Sequence, residues 1–240
     1  MNTKHALLLA AGSGTRLLPL TKDLPKSLLE INGKSILENA FTHLAASGVE
    51  RIRIIIGHQG HVIRDRFGDS FLDMRLEYIE NPIYQSTNSM YSLHLGLQGA
   101  AGPTWILEGD VVFDGKILHL PRHTEISWFV DSQAIQMDGA FLRADPKGIV
   151  TSLRIIRPPE KAKLGDFKSI GILHLSAATV PIMQKWLSIG LQKQQSNLYY
   201  DLIFSDHLEE RLISAVDIQG CRWFEIDTPT DLRAAQELFK

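Results

Sequence analysis

The first half of the chain alternates short apolar runs with segments that carry helix signals, and this alternation limits it to few folds. The opening run is apolar at almost every position, which is typical of a strand buried on both faces of a parallel sheet. Ser35 followed by Glu38 predicts a helix start, and Gly48 predicts its end. Because a helix separates successive strands, the strands are expected to run parallel. The predicted strands are 5–10, 51–56, 74–79 and 104–107, and the predicted helices are 35–48, 60–67 and 87–98.

The second half has the character of an antiparallel sheet, with strand-like pieces joined by tight turns. A long connection that contains two prolines, 157–166, is predicted to be a mobile loop. Near the end of the chain, Thr228 and Pro229 predict a final helix, as its N-cap and first helical residue. The remaining predicted elements are strands 127–130, 140–143, 149–156, 169–175 and 223–226, and helices 178–189 and 198–211.

Together these patterns predict an α/β fold: a Rossmann-like, mixed but mostly parallel sheet with helices on both faces and a smaller antiparallel portion. No repeat, low-complexity tract or linker divides the chain, so we expect a single domain over 1–240. Its two halves, 1–130 and 131–240, are expected to contribute different parts of one site, and the second half ends in the C-terminal helix.

Composition excludes several classes of protein. A net charge of −2 argues against a nucleic-acid-binding protein, because neutralising phosphates requires concentrated Lys and Arg. The single cysteine, Cys221, excludes an internal disulfide and a cysteine-rich metal site. No apolar run approaches the ~20 residues of a membrane-spanning helix, and the start of the chain does not resemble a signal peptide. We therefore expect a cytoplasmic protein without a membrane or nucleic-acid partner.

The first predicted strand opens into a glycine turn, 10-AAGSGTR-16. Backbone N–H groups without bulky side chains suit phosphate oxygens and the close approach of a flat base. The turn is not a Walker A loop, because no Gly-Lys-Ser/Thr follows, and it lacks the third glycine of a dinucleotide fingerprint. An ordinary tight turn is an equally good interpretation of this stretch alone.

Two cations follow within one long irregular loop. Arg16 offers a planar fork for bidentate phosphate contacts, and Lys26 offers a compact point charge next to the rigid Pro25. Solvation at the surface is the usual fate of such residues, but a long loop inside a compact domain usually has a function. The pattern therefore indicates an anion site near the end of the first strand.

The stretch from Gly12 to Lys26, GSGTRLLPLTKDLPK, resembles the signature loop of the nucleotidyltransferases, GT-A-like enzymes that join a nucleoside triphosphate to a phosphorylated acceptor. The resemblance is nearly complete over this loop. It implies that the turn wraps the base and ribose, that Arg16 stabilises the leaving pyrophosphate, and that Lys26 neutralises charge at the reacting centre. The nucleotide-binding residues that it implies in this part of the chain are Leu9, Ala11, Gly12, Ser13 and Gly14.

Two aspartates at predicted strand ends are candidate metal ligands. Asp110 follows the run ILEG, at the edge where open α/β sheets place their sites. Asp227 follows the short run WFEI. A turn aspartate and a helix-start acid are common alternative interpretations. The resemblance implies that both residues hold one Mg²⁺, which prefers oxygen ligands, and that Glu108 and Gly109 contact the nucleotide.

The segment NPIYQSTNSMYSLHLG bears on the identity of the nucleotide. Thr87, Asn88 and Ser92 lie near a predicted helix start, where polar side chains and free N–H groups can read a base edge. Ser86 or Thr87 is also expected to be an ordinary N-cap. The segment resembles that of small cytidylyltransferases acting on phosphocholine, 2-aminoethylphosphonate and similar substrates, except that Ser89 interrupts the commonest Thr-Asn-Asn form. The resemblance implies CTP as the donor.

The stretch NLYYDLIF is the best candidate for binding the acceptor. Tyr199 and Tyr200 offer ring faces to an ammonium group, and Asp201 offers a countercharge. In a helix the two tyrosines diverge by about 100°, so a core position for one of them is an equally good interpretation. Asp138 and Glu160 are weaker candidates, and the predicted mobile loop is either a cover for the acceptor or a solvated surface.

We expect a Mg²⁺-dependent cytidylyltransferase that transfers CMP from CTP to a small aminoalkyl phosphate or phosphonate and releases pyrophosphate. A sugar-1-phosphate nucleotidyltransferase that uses UTP, dTTP or GTP is the alternative within the same resemblance. A nucleotide-sensing domain without activity is disfavoured, because Arg16, Lys26, Asp110 and Asp227 are all present. The first half of the chain is then expected to bind the nucleotide and the second half the acceptor.

Overall fold

The computed structural model of the protein describes residues 3–134 and 138–240. The strands in these ranges are β1 His5–Ala10, β2 Glu30–Ile31, β3 Lys34–Ser35, β4 Arg51–Ile56, β5 Ser70–Phe71, β6 Met74–Glu80, β7 Thr104–Glu108, β8 Val111–Phe113, β9 Ile126–Asp131, β10 Gly139–Ala144, β11 Val150–Ile156, β12 Phe167–Leu175, β13 Ile213–Asp217 and β14 Trp223–Glu225. The α-helices are α1 Ile36–Ala46, α2 Gly60–Phe67, α3 Ser89–Leu97, α4 Val180–Gln192, α5 Tyr200–Ser205 and α6 Pro229–Leu238. Short 3₁₀ helices are formed by Thr15–Leu17, Lys26–Leu28 and Gly115–His119.

Four parallel strands form the centre of the main sheet, in the spatial order β7-β1-β4-β6. Leu9 of β1 lies opposite Ile55 of β4 on one side and opposite Glu108 of β7 on the other. Because the three strands run in the same direction and in register, their carboxyl ends lie side by side. The loops that follow β1 and β7 therefore meet at one edge of the sheet, where sites of open α/β sheets are built.

Strand β12 joins this parallel centre to an antiparallel extension. Its residues 172–175 pair with β7, and its first two residues pair with β10, whose outer neighbour is β11. On its other side β12 pairs with β9, which in turn carries β13. A register shift between Ser169 and Leu173 contains Gly171 at a φ of 69°, a conformation that favours glycine. The architecture is the expected mixed α/β fold with a mostly parallel central sheet.

The main sheet separates two hydrophobic cores. Alternate residues of β1 face opposite sides, so that Leu8 packs in the core that contains α1, and Leu7 in the core that contains α3, α4 and α5. Each fully buried side chain of this size contributes roughly 1.5–3 kcal/mol through removal of apolar surface from water. Within the described residues, none of the helices combines the length and apolar character that crossing a membrane requires.

Two helices begin with capping boxes at the residues that the sequence predicts. The Oγ of Ser35 accepts a hydrogen bond from the N–H of Glu38 at 3.2 Å, and the Glu38 carboxylate accepts from the N–H of Ser35 at 3.5 Å. Thr228 and Asp231 make the same reciprocal pair at the start of α6. Each box satisfies N–H groups that the first helical turn leaves without partners.

The N-cap of α3 is Asn88, so the prediction of Ser86 or Thr87 was wrong. The Oδ1 of Asn88 accepts a hydrogen bond from the N–H of Ser89 at 2.8 Å. The hydroxyls of Ser86 and Thr87 instead donate to the carbonyl oxygen of Ile83. These local bonds hold the chain in a turn, and the helix starts after it.

The predicted helix 198–211 was too long, because α5 ends at Ser205. The next residues form turns that α4 holds in place. The indole ring of Trp186 stacks on His207 at 4.5 Å, and its Nε1–H donates to Glu210 at 3.0 Å. The chain then enters β13, which the sequence patterns did not predict. The two- and three-residue strands β2, β3, β5 and β8 were also missed, since so few residues show no periodicity.

The connection at 157–166 is tied down at its C-terminal end. The carboxylate of Asp166 accepts hydrogen bonds from Nε of Arg143 at 2.7 Å and from Arg154 at 2.6 Å. Burial raises the pKa of Asp166, but hydrogen bonds led by the one from Arg143 outweigh burial and leave that pKa lowered. The loop is thus held to the strands β10 and β11 by a charged contact.

Candidate active site

A cleft of about 320 Å³ opens at the edge where β1 and β7 end. Several parts of the chain meet there, among them the glycine turn after β1, the segment that leads into α3, and the ends of β7 and β14. The residues singled out by the sequence that line the cleft are Leu9, Ala11, Gly12, Ser13, Gly14, Arg16, Lys26, Thr87, Asn88, Ser92, Glu108, Gly109, Asp110, Tyr199 and Asp227.

The glycine turn leaves its backbone open to the cleft. A Cβ at Gly12 would find no heavy atom of the described residues within 4 Å beyond its chain neighbours, so a ligand can approach the main chain closely. Gly14 has a φ of 60°, and a Cβ there would lie 3.1 Å from side-chain atoms of both Lys26 and Thr21. Thr21 holds the loop closed by donating from Oγ1 to the carbonyl oxygen of Gly14 at 2.8 Å. The glycine therefore allows the loop to fold back and bring Lys26 beneath the turn.

Lys26 lies between two aspartates that the ends of β7 and β14 bring together. Its Nζ donates to Oδ2 of Asp110 at 2.8 Å and to Oδ1 of Asp227 at 2.5 Å. Arg16 pairs with the other oxygen of Asp227 at 2.8 Å. Burial lowers the pKa of Lys26, but the two carboxylates reverse this effect and leave that pKa raised. Burial likewise opposes ionisation of Asp227, yet Lys26 and Arg16 lower the pKa of that carboxyl.

Asp110, Glu225 and Asp227 form an acidic group whose geometry fits a metal ion. One carboxylate oxygen from each of the three lies within 4.8 Å of the others. The Oδ1 of Asp110 is buried and has no hydrogen-bond partner among the described residues. Buried acceptors without partners are rare in proteins. Three neighbouring carboxylates are the kind of oxygen donors that a hard cation such as Mg²⁺ prefers.

Asn81 organises the wall of the cleft that precedes α3. Its side-chain amide donates to Oγ1 of Thr87 at 3.1 Å and to Oγ of Ser92 at 3.2 Å. Asn81 is buried and lines the cleft together with both hydroxyl residues and Asn88. Asn81 is the first residue of the segment NPIYQSTNSMYSLHLG, but the sequence analysis assigned it no role, because its contacts with the two hydroxyls form only in the folded chain.

Tyr200 and Asp201 lie in the core behind the cleft, so Tyr199 is the member of the predicted acceptor group that lines it. The hydroxyl of Tyr200 donates to Oε1 of Glu108 at 2.8 Å, and burial, followed by the neighbouring carboxylates, raises the pKa of both groups. Burial also raises the pKa of Asp201 to about 6. One of the two tyrosines was expected to be a core residue in the alternative interpretation, and that residue is Tyr200.

Arg157 and Glu225 line the cleft although the sequence analysis did not single them out. Arg157 donates to the hydroxyl of Tyr199 at 3.1 Å, and its guanidinium lies 5.5 Å from the centre of the Tyr199 ring. The buried Nζ of Lys168 donates to Glu225 at 2.9 Å. The sequence contained a signal by which Glu225 could have been found. It precedes Asp227 by two residues, and residues two apart in an extended chain point to the same face.

The two weaker acceptor candidates lie outside the cleft as the described residues define it. Glu160 pairs with Arg154 at 2.9 Å, in the loop that Asp166 ties to the sheet. Asp138 lies near Lys168 and Arg157, where its charge contributes to raising the pKa of each of these cations.

Two relatives are similar to this chain over nearly its whole length. A CMP-5'-(3-aminopropyl)phosphonate synthase from Streptomyces rubellomurinus is 29% identical over 98% of this chain. The chain spans 38% of the length of that protein. A 2-aminoethylphosphonate cytidylyltransferase from Lancefieldella rimae is 24% identical over 96% of this chain and 91% of that protein.

One solved structure is similar to this chain in fold over nearly its whole length, and a family model matches the first half of the chain. The CTP:phosphocholine cytidylyltransferase from Streptococcus pneumoniae matches with a TM-score of 0.80 at 24% sequence identity, over 99% of this chain and 100% of that chain. The family model for nucleotidyl transferases matches residues 5–125, a range that contains the glycine turn, Lys26 and Asp110. With half of its length matched by that model, the chain belongs to the nucleotidyl transferase family.

Proposed function

We propose that the protein is a Mg²⁺-dependent cytidylyltransferase that transfers CMP from CTP to a small aminoalkyl phosphate or phosphonate and releases pyrophosphate. The observation that carries this proposal is the convergence of an open glycine turn, two cations and two aspartates in one cleft. The names of the relatives support the donor and the acceptor class. One is named as a synthase of a CMP-linked aminopropylphosphonate, and the other as a cytidylyltransferase of 2-aminoethylphosphonate.

In this proposal the nucleotide lies against the glycine turn and the wall before α3. The backbone N–H groups of the turn bind phosphate and ribose oxygens, because its glycines leave them uncovered. Asn81 orients two hydroxyls in the opposite wall, and hydroxyl and amide groups there read the edge of cytosine. The proposed nucleotide-binding residues are Leu9, Ala11, Gly12, Ser13, Gly14, Thr87, Asn88, Ser92, Glu108 and Gly109.

The chemical step is an in-line displacement at the α-phosphorus of CTP. An oxygen of the acceptor phosphate or phosphonate forms the new P–O bond, the bond to the β-phosphate oxygen breaks, and pyrophosphate leaves. Such reactions depend on positioning and electrostatics, and no covalent enzyme intermediate is required. Lys26 and Arg16 stabilise the negative charge that develops on the transferring phosphoryl group and on the leaving pyrophosphate.

Asp110 and Asp227 are the proposed Mg²⁺ ligands, with Glu225 as a third donor within reach. When bound, the ion neutralises charge on the reacting phosphates and orients them. The chain itself holds the two aspartates in place through Lys26, which pairs with both, and it keeps one oxygen of Asp110 free of protein donors among the described residues.

Metal binding can be measured without turnover, by following the electron paramagnetic resonance signal of Mn²⁺ as a Mg²⁺ analogue. We expect Asp110→Asn and Asp227→Asn each to weaken Mn²⁺ binding by at least about tenfold, since each removes a charged oxygen ligand. Asp65→Asn is the matched control, because Asp65 is an exposed aspartate on α2 outside the cleft. Equal Mn²⁺ affinity in all three variants would contradict the assignment.

Pyrophosphate release in the presence of Mg²⁺ tests the donor and the acceptor together. CTP, UTP, ATP, GTP and dTTP are each combined with phosphocholine, 2-aminoethylphosphonate and glucose-1-phosphate. We expect turnover with CTP and an amino acceptor. Turnover confined to glucose-1-phosphate with another nucleotide would overturn the proposal in favour of a sugar-1-phosphate nucleotidyltransferase.

A further inference from the structure

A second cavity, of about 250 Å³, lies at the edge of the sheet where the parallel strands begin. It is lined by the first residues of three of these strands, His5 of β1, Arg51 of β4 and Thr104 of β7, and by the turn that follows α3. Because β1 and β7 end at the cleft, the cavity and the cleft lie at opposite ends of these two strands. The described residues that line the cavity include no carboxylate.

Three arginines lie side by side on the face of the sheet that borders this cavity. The strand register pairs Arg51 of β4 with His5 of β1 on one side and with Arg75 of β6 on the other. Arg53 lies two residues further along β4, on the same face, and its partner in β6 is Glu77. Like charges on neighbouring strands repel each other, so this arrangement is unfavourable unless negative charge is brought to it.

The nearby carboxylates do not balance these arginines. Among the described residues, Glu77 is the one carboxylate within 4 Å of them, at 3.6, 3.3 and 3.4 Å, whereas Glu50 pairs with Lys4. Three positive charges against one negative charge leave an excess of two. Burial, followed by the two arginines that line the cavity, lowers the pKa of His5 despite the opposing charges of the two glutamates. The cavity therefore favours a doubly charged anion.

The arginines that line the cavity keep hydrogen-bond donors for a ligand. Nη1 of Arg53 donates to the carbonyl oxygens of Gly96 and Gln98 at 3.1 and 2.8 Å, and Nε donates to Glu77 at 3.3 Å. Its Nη2 has no acceptor in the described part of the chain, and the side chain of Arg51 makes no hydrogen bond there either. Guanidinium groups bind phosphate oxygens through paired N–H donors. Arg53 is thus held at the cavity by the backbone of α3, with donors left over on both arginines.

We propose that this cavity binds a small phosphate dianion, free or as a monoester with a short alkyl group, between Arg51 and Arg53. A doubly charged phosphate matches the excess charge, and its tetrahedral oxygens can accept from guanidinium groups on more than one side. Ala100 and Ala101 add apolar surface that suits a short alkyl group. An ammonium group on that chain would be repelled by the arginines, so the ligand differs from the aminoalkyl acceptor proposed for the cleft. The site does not depend on the proposed function.

Three probes test the site and distinguish the free anion from a monoester. Ethyl phosphate, orthophosphate and phosphoethanolamine are titrated by phosphorus NMR at pH 8 and constant ionic strength, without divalent metal, because salt screens exposed charges. Phosphate groups are doubly charged at this pH. We expect ethyl phosphate to bind about tenfold more tightly than phosphoethanolamine, since the latter carries an ammonium group. Tighter binding of orthophosphate than of ethyl phosphate would identify the free anion as the ligand of the same site.

Two variants are expected to change the affinity for ethyl phosphate in opposite directions. Arg51→Met removes a donor and a positive charge and should weaken binding about tenfold. Glu77→Gln removes the competing carboxylate and should strengthen binding at least about threefold. Arg211→Met is the matched control, because Arg211 is an exposed arginine outside the cavity, and it should leave the affinity unchanged.

The cleft also offers cations to a phosphate, and Arg16→Met separates the two locations. Binding of ethyl phosphate that is lost in Arg16→Met and kept in Arg51→Met would place the anion in the cleft and overturn the proposal. Absence of binding by the unmodified protein, or tighter binding of phosphoethanolamine than of ethyl phosphate, would overturn it as well. Should Arg51→Met fail to fold by circular dichroism, the increase in Glu77→Gln decides, and an affinity unchanged or reduced there would contradict the site.

Discussion

Single charged residues carry most of the proposed chemistry, and their pairing follows from where strands end. Asp110 comes directly after β7 and its neighbouring glycine, and Asp227 comes shortly after β14, so both carboxylates reach the same lysine. Without Lys26, two like charges would lie close together in a half-buried site, which is unfavourable. The same ammonium is therefore expected to serve folding and catalysis.

Lys26→Met is expected to lower kcat roughly 100-fold or more, because it removes a preorganised positive charge from the reacting phosphates. Circular dichroism should show that the variant is folded. Lys22→Met removes an exposed lysine from the same loop and should keep normal turnover. Turnover of Lys26→Met within a few-fold of normal, measured as pyrophosphate release, would contradict the role of Lys26 in the chemical step.

Asp201 makes stability depend on pH in a defined direction. Burial raises its pKa to about 6, above the value of about 3.9 expected in the unfolded chain. The folded protein then binds the proton more tightly between these values, so the free energy of unfolding falls as the pH rises through this window. At pH 7.5 the folded state carries the full cost of a buried carboxylate, and at pH 5, near the middle of the window, about half of that cost is absent.

Asp201→Asn should therefore stabilise the protein by on the order of 2 kcal/mol at pH 7.5 and by about half as much at pH 5. The measurement is the midpoint of thermal unfolding at the two pH values. Asp206→Asn, at an exposed aspartate just after α5, should change the midpoint little at either pH. A loss of stability in Asp201→Asn at pH 7.5 would mean that the carboxylate is favourably paired in the folded state.

At the scale of elements, helix α3 lies unusually close to the sheet, and this distance determines the shape of the cleft wall formed by the start of α3 and the segment before it. Gly96 of α3 lies directly over the side chains of Leu7 of β1 and Ile55 of β4. A Cβ at this position would lie 2.7 Å from Cδ1 of Ile55 and closer still to Leu7. The absence of a side chain at Gly96 therefore sets the distance between helix and sheet, and with it the position of Asn88 and Ser92.

Gly96→Ala is expected to lower the free energy of unfolding by about 1–3 kcal/mol, because overpacking outweighs the gain of about 0.5–1 kcal/mol from the better helix propensity of alanine. Gly190→Ala in α4 is the matched control. There the closest atom to the new methyl group is the terminal carbon of the flexible Met90 side chain, so little stability should be lost. Urea unfolding of both variants provides the comparison, and equal losses would contradict a specific close approach of α3.

At the scale of the whole molecule, the two halves of the chain share one sheet. Strand β12 belongs to the second half but pairs with β7 of the first half and with β9, whose residues span the expected boundary at 130. Hydrophobic residues from both halves also mix within each of the two cores. Neither half can therefore lose its structure without exposing strand edges and core of the other.

Unfolding is accordingly expected to be a single equilibrium transition. Urea titrations followed by far-UV circular dichroism and by tryptophan fluorescence should coincide, since Trp105 and Trp128 report on the first half and Trp186 and Trp223 on the second. Two separated transitions would show that 1–130 and 131–240 unfold as independent units. Until that test, the single domain over 1–240 stays a prediction.

Signals confined to a few neighbouring residues predicted the structure well. The bounds of β1, β4 and α2 match the predicted ranges, and the cap at Thr228 is present. The predicted end of α5 was wrong, because contacts of the next turns with Trp186 on α4 decide where that helix stops. Local propensity contains no information about such a contact.

By itself, the sequence determined the alternation of strands and helices, because this depends on local periodicity. It also determined the family, because the glycine turn and its two cations lie in one continuous loop that resembles the signature of that family. Tertiary structure decided which other side chains join the cleft. Arg157, which follows β11, and Glu225 of β14 reach it through strand pairing between distant segments. Tyr200 turns into the core against Trp128, at 5.9 Å between ring centres, while its neighbour Tyr199 faces the cleft. The choice between adjacent tyrosines depends on which face of α5 meets the sheet, and that is settled by packing between residues far apart in the chain.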